Sequence, residues 1–307
     1  MIRRRRRLRN FFVSCAFFIV LIAASAFFTG PVFFPGQSVV FARQLEFHVI
    51  DVGQGDAMFF KLPTGEIVLI DGGPTHAGER VVSYLRNNGV RGIDLLIATH
   101  PHEDHIGGLI AVLDSLPVSE VWDSGFNHGT ATQRRFLERV RNSNAKFQIV
   151  NTGFLREIGD VKIKVIAPDS PQRDANSSSI IAHVSWKNIS FLLLADAEHR
   201  DRRIIDRYPR STVLKISHHG SRNGTTSPIL QRVNPQIAVI SYGENNPYGH
   251  PHREVLRLLE EFNIKLYATV DGNIVLKSDG ESYTITHNNT RSIIDTIKSV
   301  LDIFFKW

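Results

Sequence analysis

The chain of 307 residues has one cysteine, Cys15, and it lies outside the stretch that carries the candidate chemistry. A disulfide-stapled fold is therefore excluded, and a metal site in the body must do without thiolate ligands. Acidic residues are missing from positions 1–42, where Arg3, Arg4, Arg5, Arg6, Arg7 and Arg9 crowd the start. Those six arginines equal the whole formal excess of +6, so residues 43–307 are formally neutral. A net charge of this sign would ordinarily suggest a polyanion partner, but the body retains no global positive field to attract one. Internal repeats, low-complexity tracts and linker-like stretches are also lacking, so residues 43–290 read as one domain. With 42% hydrophobic and 21% charged residues, that domain is expected to be globular.

After the arginines, Phe11 to Phe28 runs for eighteen residues without a charge. That length approaches a bilayer crossing, so residues 1–42 are expected to be a signal peptide or an N-terminal membrane anchor. Ala24-Ser25-Ala26 and Val40-Phe41-Ala42 both offer small-residue cleavage sites. The arginines would hold the N-terminus in the cytoplasm and place the body outside it, secreted or anchored. At the other end, Ile293, Ile294, Ile297, Val300, Leu301 and Phe304 stand at helical spacing and predict an amphipathic helix over 291–307. Such a stripe packs on its parent domain, while Phe305 and Trp307 widen it towards dimer or membrane-surface contact.

The densest chemistry lies in Thr99-His100-Pro101-His102-Glu103-Asp104-His105-Ile106-Gly107-Gly108. The apolar run Ile93 to Ala98 before it predicts a buried strand of a parallel sheet, and Leu109 to Leu113 after it predicts a helix. Three imidazoles and two carboxylates thus fall on a strand-to-helix loop, where open α/β sheets place their ligands. Imidazole and carboxylate suit Zn²⁺ and its neighbours, and the H-x-H-x-D-H spacing lets alternate residues converge on one ion while the Asp-His pair reaches a second. Further ligand-type residues recur at predicted strand ends: Asp71, Asp196, the His218-His219 pair and His250.

The surrounding pattern is a hairpin followed by strands alternating with helices, and it occurs twice. Met58 to Leu62 and Glu66 to Ile70 predict the first hairpin, and Gly78 to Asn88 predicts a helix. Ile180 to Trp186 and Ile189 to Leu194 predict a second strand pair, with a helix from about Glu198. This order fits a four-layer αββα sandwich: two mixed sheets packed face to face with helices outside. Gly220-Ser221 and Gly224-Thr225-Thr226-Ser227 precede a predicted short helix, offering either a phosphate cradle or an ordinary N-cap.

Taken together, the ordered motifs resemble those of metallo-β-lactamase-fold hydrolases, and within them the hydrolase domain of ComEC-type competence (DNA-uptake) proteins. They are Asp51-Val52-Gly53-Gln54-Gly55-Asp56-Ala57, Ile70-Asp71-Gly72-Gly73, the H-x-H-x-D-H loop with its Gly-Gly, Leu194-Ala195-Asp196, Leu214-Lys215-Ile216-Ser217-His218-His219-Gly220-Ser221 and Tyr248-Gly249-His250-Pro251. The resemblance spans about residues 45–286; the long membrane-channel part of full competence proteins has no counterpart in it. It implies two divalent metal ions, Zn²⁺ first with Mn²⁺ as the alternative. His100 and His102 would hold one, and Asp104 and His105 the other, with Asp196 bridging. The last ligand is left between His219, His218 and His250, with the double-His loop slightly favoured. Asp71 would orient a ligand histidine from behind.

Two departures from the family pattern stand out. Asn176 occupies the place where many members carry a third histidine for the first metal, and Ala195 replaces the usual glycine before the aspartate at little expected cost. The activity implied is hydrolysis by a metal-bridging hydroxide. Asp104, His219 and His250 are the catalytic candidates, and whichever late histidine is not a ligand would protonate the leaving group. An exported phosphodiesterase or nuclease is the leading expectation, acting on single-stranded DNA or a cell-wall phosphodiester. A carbon ester, lactone or lactam hydrolase and a non-catalytic surface binding module are the alternatives.

Overall fold

Runs of β-branched and aromatic residues bounded by turn formers become short strands, as their composition dictates. The computed structural model describes residues 43–170, 172–198 and 201–287. The expected leader over 1–42 and the amphipathic helix over 291–307 lie outside the described residues. Strands β1 (Leu45–Val49), β2 (Met58–Lys61) and β3 (Ile67–Ile70) form an antiparallel meander. To it β4 (Leu95–Ala98), β5 (Glu120–Asp123) and β6 (Lys146–Ile149) add in parallel. Helices α1 (Gly78–Asn87), α2 (Glu103–Ile106), α3 (Leu109–Ser115) and α4 (Ala131–Asn142) fill the connections between parallel strands.

The second half repeats that order. Strands β7 (Leu155–Ile158), β8 (Val161–Ala167), β9 (Ile181–Trp186) and β10 (Ile189–Leu193) are antiparallel. Strands β11 (Val213–Lys215), β12 (Ile237–Ile240) and β13 (Lys265–Ala268) continue in parallel, linked by α5 (Arg202–Ile205), α6 (Ser227–Val233) and α7 (Arg253–Glu261). Finally β14 (Ile274–Ser278) and β15 (Tyr283–His287) return to the first sheet, where β14 pairs antiparallel with β1. The sheets run β15-β14-β1-β2-β3-β4-β5-β6 and β13-β12-β11-β10-β9-β8-β7.

Three apolar layers hold the sandwich. Between the sheets, Phe47 and Phe60 stack at 4.6 Å and both meet Phe191 within 5.1 Å. Each fully buried ring of this kind contributes about 1.5–3 kcal/mol. Outside the first sheet, Val81, Leu85, Leu109 and Phe136 seat the helices α1, α3 and α4. Outside the second, Ile205, Leu230, Val255 and Leu259 do so for α5, α6 and α7. The predicted four-layer αββα sandwich is what the chain forms.

Local differences have local causes. Strand β7 was not legible because its Arg156 and Glu157 break the apolar pattern; it forms by pairing with β8 at a sheet edge. The helix expected from about Glu198 is the single turn α5 and starts at Arg202, because the Asp201 carboxylate caps it there by accepting from the Arg203 amide at 2.9 Å. The loop Thr99–Gly108 contains the extra turn α2, closed where Gly107 donates to the Glu103 carbonyl at 2.8 Å.

Candidate metal centre

Glycines set the frame of the site. The Asp56 amide donates to the Asp104 carbonyl at 3.1 Å, Gly72 to that of His105 at 2.8 Å, and Gly108 to that of Gly73 at 2.8 Å. A Cβ at Gly55 would stand 2.3 Å from the Asp104 oxygen, and one at Gly108 2.0 Å from the Gly72 oxygen. These glycines let three backbone segments touch, a stricter demand than that of ordinary turns. The H-x-H-x-D-H loop is thereby clamped between the Asp51–Asp56 turn and the end of β3.

On that frame the side chains gather into two groups that share one carboxylate. Donor atoms of Asp104, His105, Asp196 and His219 lie within 4.8 Å of one another, and so do those of His100, His102 and Asp196. In the first group His105 Nε2 stands 3.3 Å from Asp196 Oδ2, and His219 Nε2 stands 3.2 Å from Asp104 Oδ2 and 3.6 Å from Asp196 Oδ1. Ligand atoms about 2.1 Å from a tetrahedral ion stand roughly 3.4 Å apart, so this spacing fits a cation. In the second group His100 Nε2 is 3.0 Å from His102 Nδ1 and 3.7 Å from Asp196 Oδ2. His105 Nε2, His219 Nε2 and Asp196 Oδ1 are buried and have no hydrogen-bond partner. Buried polar atoms left unpaired are costly, and three of them converging are what an ion would satisfy.

For His105, His219 and His100 the opposite ring nitrogens are engaged, which fixes their tautomers. His105 Nδ1 donates to Asp71 Oδ2 at 2.8 Å and His219 Nδ1 to the Ser241 carbonyl at 2.8 Å. His100 Nδ1 meets Thr99 Oγ1 at 3.2 Å, and that hydroxyl in turn donates to Asp71 Oδ2 at 2.7 Å. Asp71 also accepts from the Thr99 amide at 2.9 Å, so one carboxylate at φ +56° orients histidines of both groups.

Between His218, His219 and His250 the geometry discriminates. His218 and His219 are consecutive residues at φ +47° and +51°, a backbone that L-residues adopt at a cost of about 1–3 kcal/mol each. That turn sends His219 into the four-donor group. His218 instead donates from Nδ1 to Glu198 Oε1 at 2.6 Å, leaving Nε2 3.7 Å from Asp196 Oδ2. His250 belongs to neither group. Its ring centroid stands 5.5 Å from that of His218 and 6.4 Å from that of His219, and its Nδ1 is buried and unpaired.

Ala195 is at φ +47°, so a side chain there carries the left-handed penalty that a glycine would avoid. The expectation of little cost needs that correction. Asn176 sits on a turn that the Ile180 amide ties to the Thr99 carbonyl at 2.9 Å, and its Oδ1 is buried without a partner. In the run expected to cradle a phosphate or to supply an N-cap at Thr226 or Ser227, Thr225 accepts from the Ser217 amide at 3.1 Å and braces the double-His turn, while Thr226 is the N-cap of α6 without a side-chain cap hydrogen bond.

The charges follow from this packing. Burial, with help from His105, holds His100 well below its ordinary value, and burial likewise lowers His102, so both present neutral lone pairs. Burial opposes protonation of His105 and His219 as well. There the carboxylates win: Asp196, Asp71 and Asp104 raise His105, and Asp196, Asp104 and Asp56 raise His219. Despite burial, Asp104 and Asp196 are pulled below the usual carboxylate range by His105 and His219. A divalent cation at these donors would replace the protons of His105 and His219.

Several participants carried no individual signal in sequence. Asp56 and Lys215 stood inside the motifs without a role, and Glu198 marked only a helix start. His128, on the loop after β5, brings its ring to 5.0 Å from His102.

Comparisons with known proteins identify the family and the fold. The family model described as Metallo-beta-lactamase superfamily matches residues 50–244. ComE operon protein 3 of Bacillus subtilis is 31% identical over 246 residues, covering 73% of this chain and 32% of that protein. Competence protein ComA of Neisseria gonorrhoeae is 27% identical over 228 residues, covering 72% of this chain and 30% of that protein. The chain thus spans about a third of the length of these relatives. Among solved structures, the metallo-beta-lactamase fold protein YhfI from Bacillus subtilis superposes with a TM-score of 0.52 at 14% identity, covering 77% of this chain and all of that one.

Proposed function

The chain belongs to the metallo-β-lactamase superfamily, and from that membership we propose that it is a metal-dependent phosphodiesterase of the cell envelope, acting on single-stranded DNA or a related phosphodiester. The observation that carries the reading is Asp196, one buried carboxylate facing both the His100/His102 pair and the Asp104/His105/His219 group. Those residues would hold two divalent cations. Zn²⁺ suits the His-rich set, and the Asn176 amide leaves room for Mn²⁺ at the first position. Bound there, such cations supply Lewis acidity and lower the pKa of a water.

The protein's own groups would do the rest. Asp71 fixes the ring planes of His105 and, through Thr99, of His100. His218, gripped by Glu198 and a quarter exposed, is placed to give a proton to a departing oxygen. The carboxylates Glu198 and Asp196 hold that imidazole above its ordinary value against the pull of burial. His250 is held down to about 4 by burial and by His218 and His219, which disfavours it as a proton donor. Tyr248, 62% exposed, lies parallel to His250 at 5.6 Å and gives a base a face on which to stack.

One relative is named a competence protein, in keeping with the resemblance to DNA-uptake proteins from which the phosphodiester class and the envelope setting are proposed. The chain would reach that setting through residues 1–42, as a secreted or anchored protein. The test is to incubate the full, metal-loaded chain with labelled single-stranded DNA, a chromogenic phosphodiester, a choline-phosphate ester and a chromogenic lactam. Phosphodiester turnover that disappears in Asp104→Ala is expected. Two bound metals with no turnover of any phosphodiester would end the proposal, and lactam turnover at matching rates would favour the carbon-ester alternative.

A further inference from the structure

Asp56 and Lys215 are each 0% exposed, and neither is a member of the two groups around Asp196. Lys215 ends β11, four residues before His219, and shares with Val213 the strand face that looks into the gap between the sheets. Its ammonium stands 2.8 Å from Asp56 Oδ2 and donates to the Ile216 carbonyl at 3.0 Å. Asp56 is tied at both ends of its backbone: its amide donates to the Asp104 carbonyl at 3.1 Å, and its carbonyl accepts from Gly73 at 2.8 Å. The pair therefore joins two motifs, one holding Asp104 and the other leading into His219.

The second Asp56 oxygen explains why the pair is there. Neither Asp56 oxygen has a hydrogen bond; Oδ2 is held by the Lys215 charge alone, and Oδ1 lies 3.5 Å from His219 Nδ1, the nitrogen that donates to Ser241 at 2.8 Å. Two acceptors thus face one N–H, and a free carboxylate is the stronger of them. A ring swung towards Asp56 would take Nε2 away from Asp104 and Asp196. Lys215 draws the carboxylate charge to the far oxygen and leaves the His219 proton to the carbonyl. A buried ion pair is weak evidence for stability, since apolar replacement is often neutral or stabilising, so its presence calls for another role.

We propose that the Lys215–Asp56 pair is a positioning device for His219, keeping its ring aimed into the four-donor group and balancing charge behind the second cation. The proposal rests on the reading of Asp104, His105, Asp196 and His219 as ligands, and it holds whatever ester is cleaved.

The experiment is Co²⁺ titration of the full chain in detergent, followed by visible absorption, for wild type, Lys215→Met, Asp56→Asn and the double variant. Lys215→Met is expected to weaken the second ion by roughly 10–100-fold and to alter its ligand-field bands, with the first ion unchanged. The double variant removes both charges and should recover most of that loss. A purely structural pair would lower the melting temperature and leave both affinities intact. Wild-type binding in Lys215→Met, or a double variant as weak as the single, overturns the proposal. Should circular dichroism show Lys215→Met unfolded, Asp56→Asn decides, because it leaves an unbalanced ammonium behind His219. A tenfold or greater weakening of the second ion is then expected, and an unchanged affinity overturns the proposal. A wild-type chain that binds no second ion overturns both this inference and the ligand reading. Variants that bind it like wild type overturn only the inference.

Discussion

His105 points one ring nitrogen at Asp71, 2.8 Å away, and the other at Asp196, 3.3 Å away. An imidazole has one proton in its neutral form, so an Asp71 acceptor at Nδ1 guarantees a lone pair at Nε2. Asp71→Ala removes that guarantee and also frees Thr99, which is hydrogen-bonded to His100. We expect metal affinity to fall by about 10–100-fold, with the larger loss at the second ion. Metal content after dialysis against a graded chelator series measures it, and undiminished occupancy would show that Asp71 does not orient the ligand.

The three late histidines are expected to separate cleanly by metal stoichiometry. His219→Ala removes a donor that stands 3.2 Å from Asp104 and 3.6 Å from Asp196, and should leave about one tightly held ion per chain. His250→Ala removes a ring outside both groups and should leave the stoichiometry unchanged. Elemental analysis of the purified variants reads both. The reverse pattern would transfer the last ligand position to His250.

That choice was beyond the sequence for a physical reason. The H-x-H-x-D-H loop was legible because six consecutive residues carry its chemistry, and the buried run before it marks where a strand must end. The double sandwich was legible because its hairpin-then-alternation order occurs twice. Which of two adjacent histidines faces inward depends instead on paired left-handed backbone angles at His218 and His219, and no composition rule signals those. Lys215 was invisible for a related reason. Its partner Asp56 is 159 positions earlier in the chain, and only the closed sandwich brings them together.

Away from the site, His48 is 2% exposed, stacked on Phe59 at 4.2 Å and hydrogen-bonded between Tyr84 and Glu46. Burial lowers it to about 4, although Glu46 opposes that shift. The folded state therefore holds His48 neutral, while the unfolded chain protonates it near 6.5. Its stabilisation is complete above about pH 6.5 and is lost as pH falls towards 4, by up to ~3 kcal/mol. His183, also lowered to about 4 by burial, contributes in the same sense. Urea unfolding in chelator at several pH values should show this decline, with a shallower slope in His48→Gln. A variant whose slope matches wild type would remove His48 from the account.

The assignment of His218 as proton donor makes a prediction about leaving groups. Glu198 holds its Nδ1 at 2.6 Å, so the other nitrogen faces the site beside Asp196. A donor matters when the departing oxygen is basic and hardly at all when it leaves as a stable anion. His218→Gln should therefore slow cleavage of an oligonucleotide, whose leaving group is an alkoxide, by about 10²–10⁴-fold. Cleavage of a bis-nitrophenyl phosphate should fall by less than about tenfold, because nitrophenolate needs little protonation. The ratio of the two kcat values decides the matter, since a general disturbance of the metal centre would depress both substrates equally. Glu198→Gln should reproduce the same asymmetry in weaker form, as it keeps an acceptor for Nδ1 but removes the charge that supports the protonated ring. Equal losses on the two substrates would place His218 among the structural residues of the turn and leave the proton to be supplied by solvent.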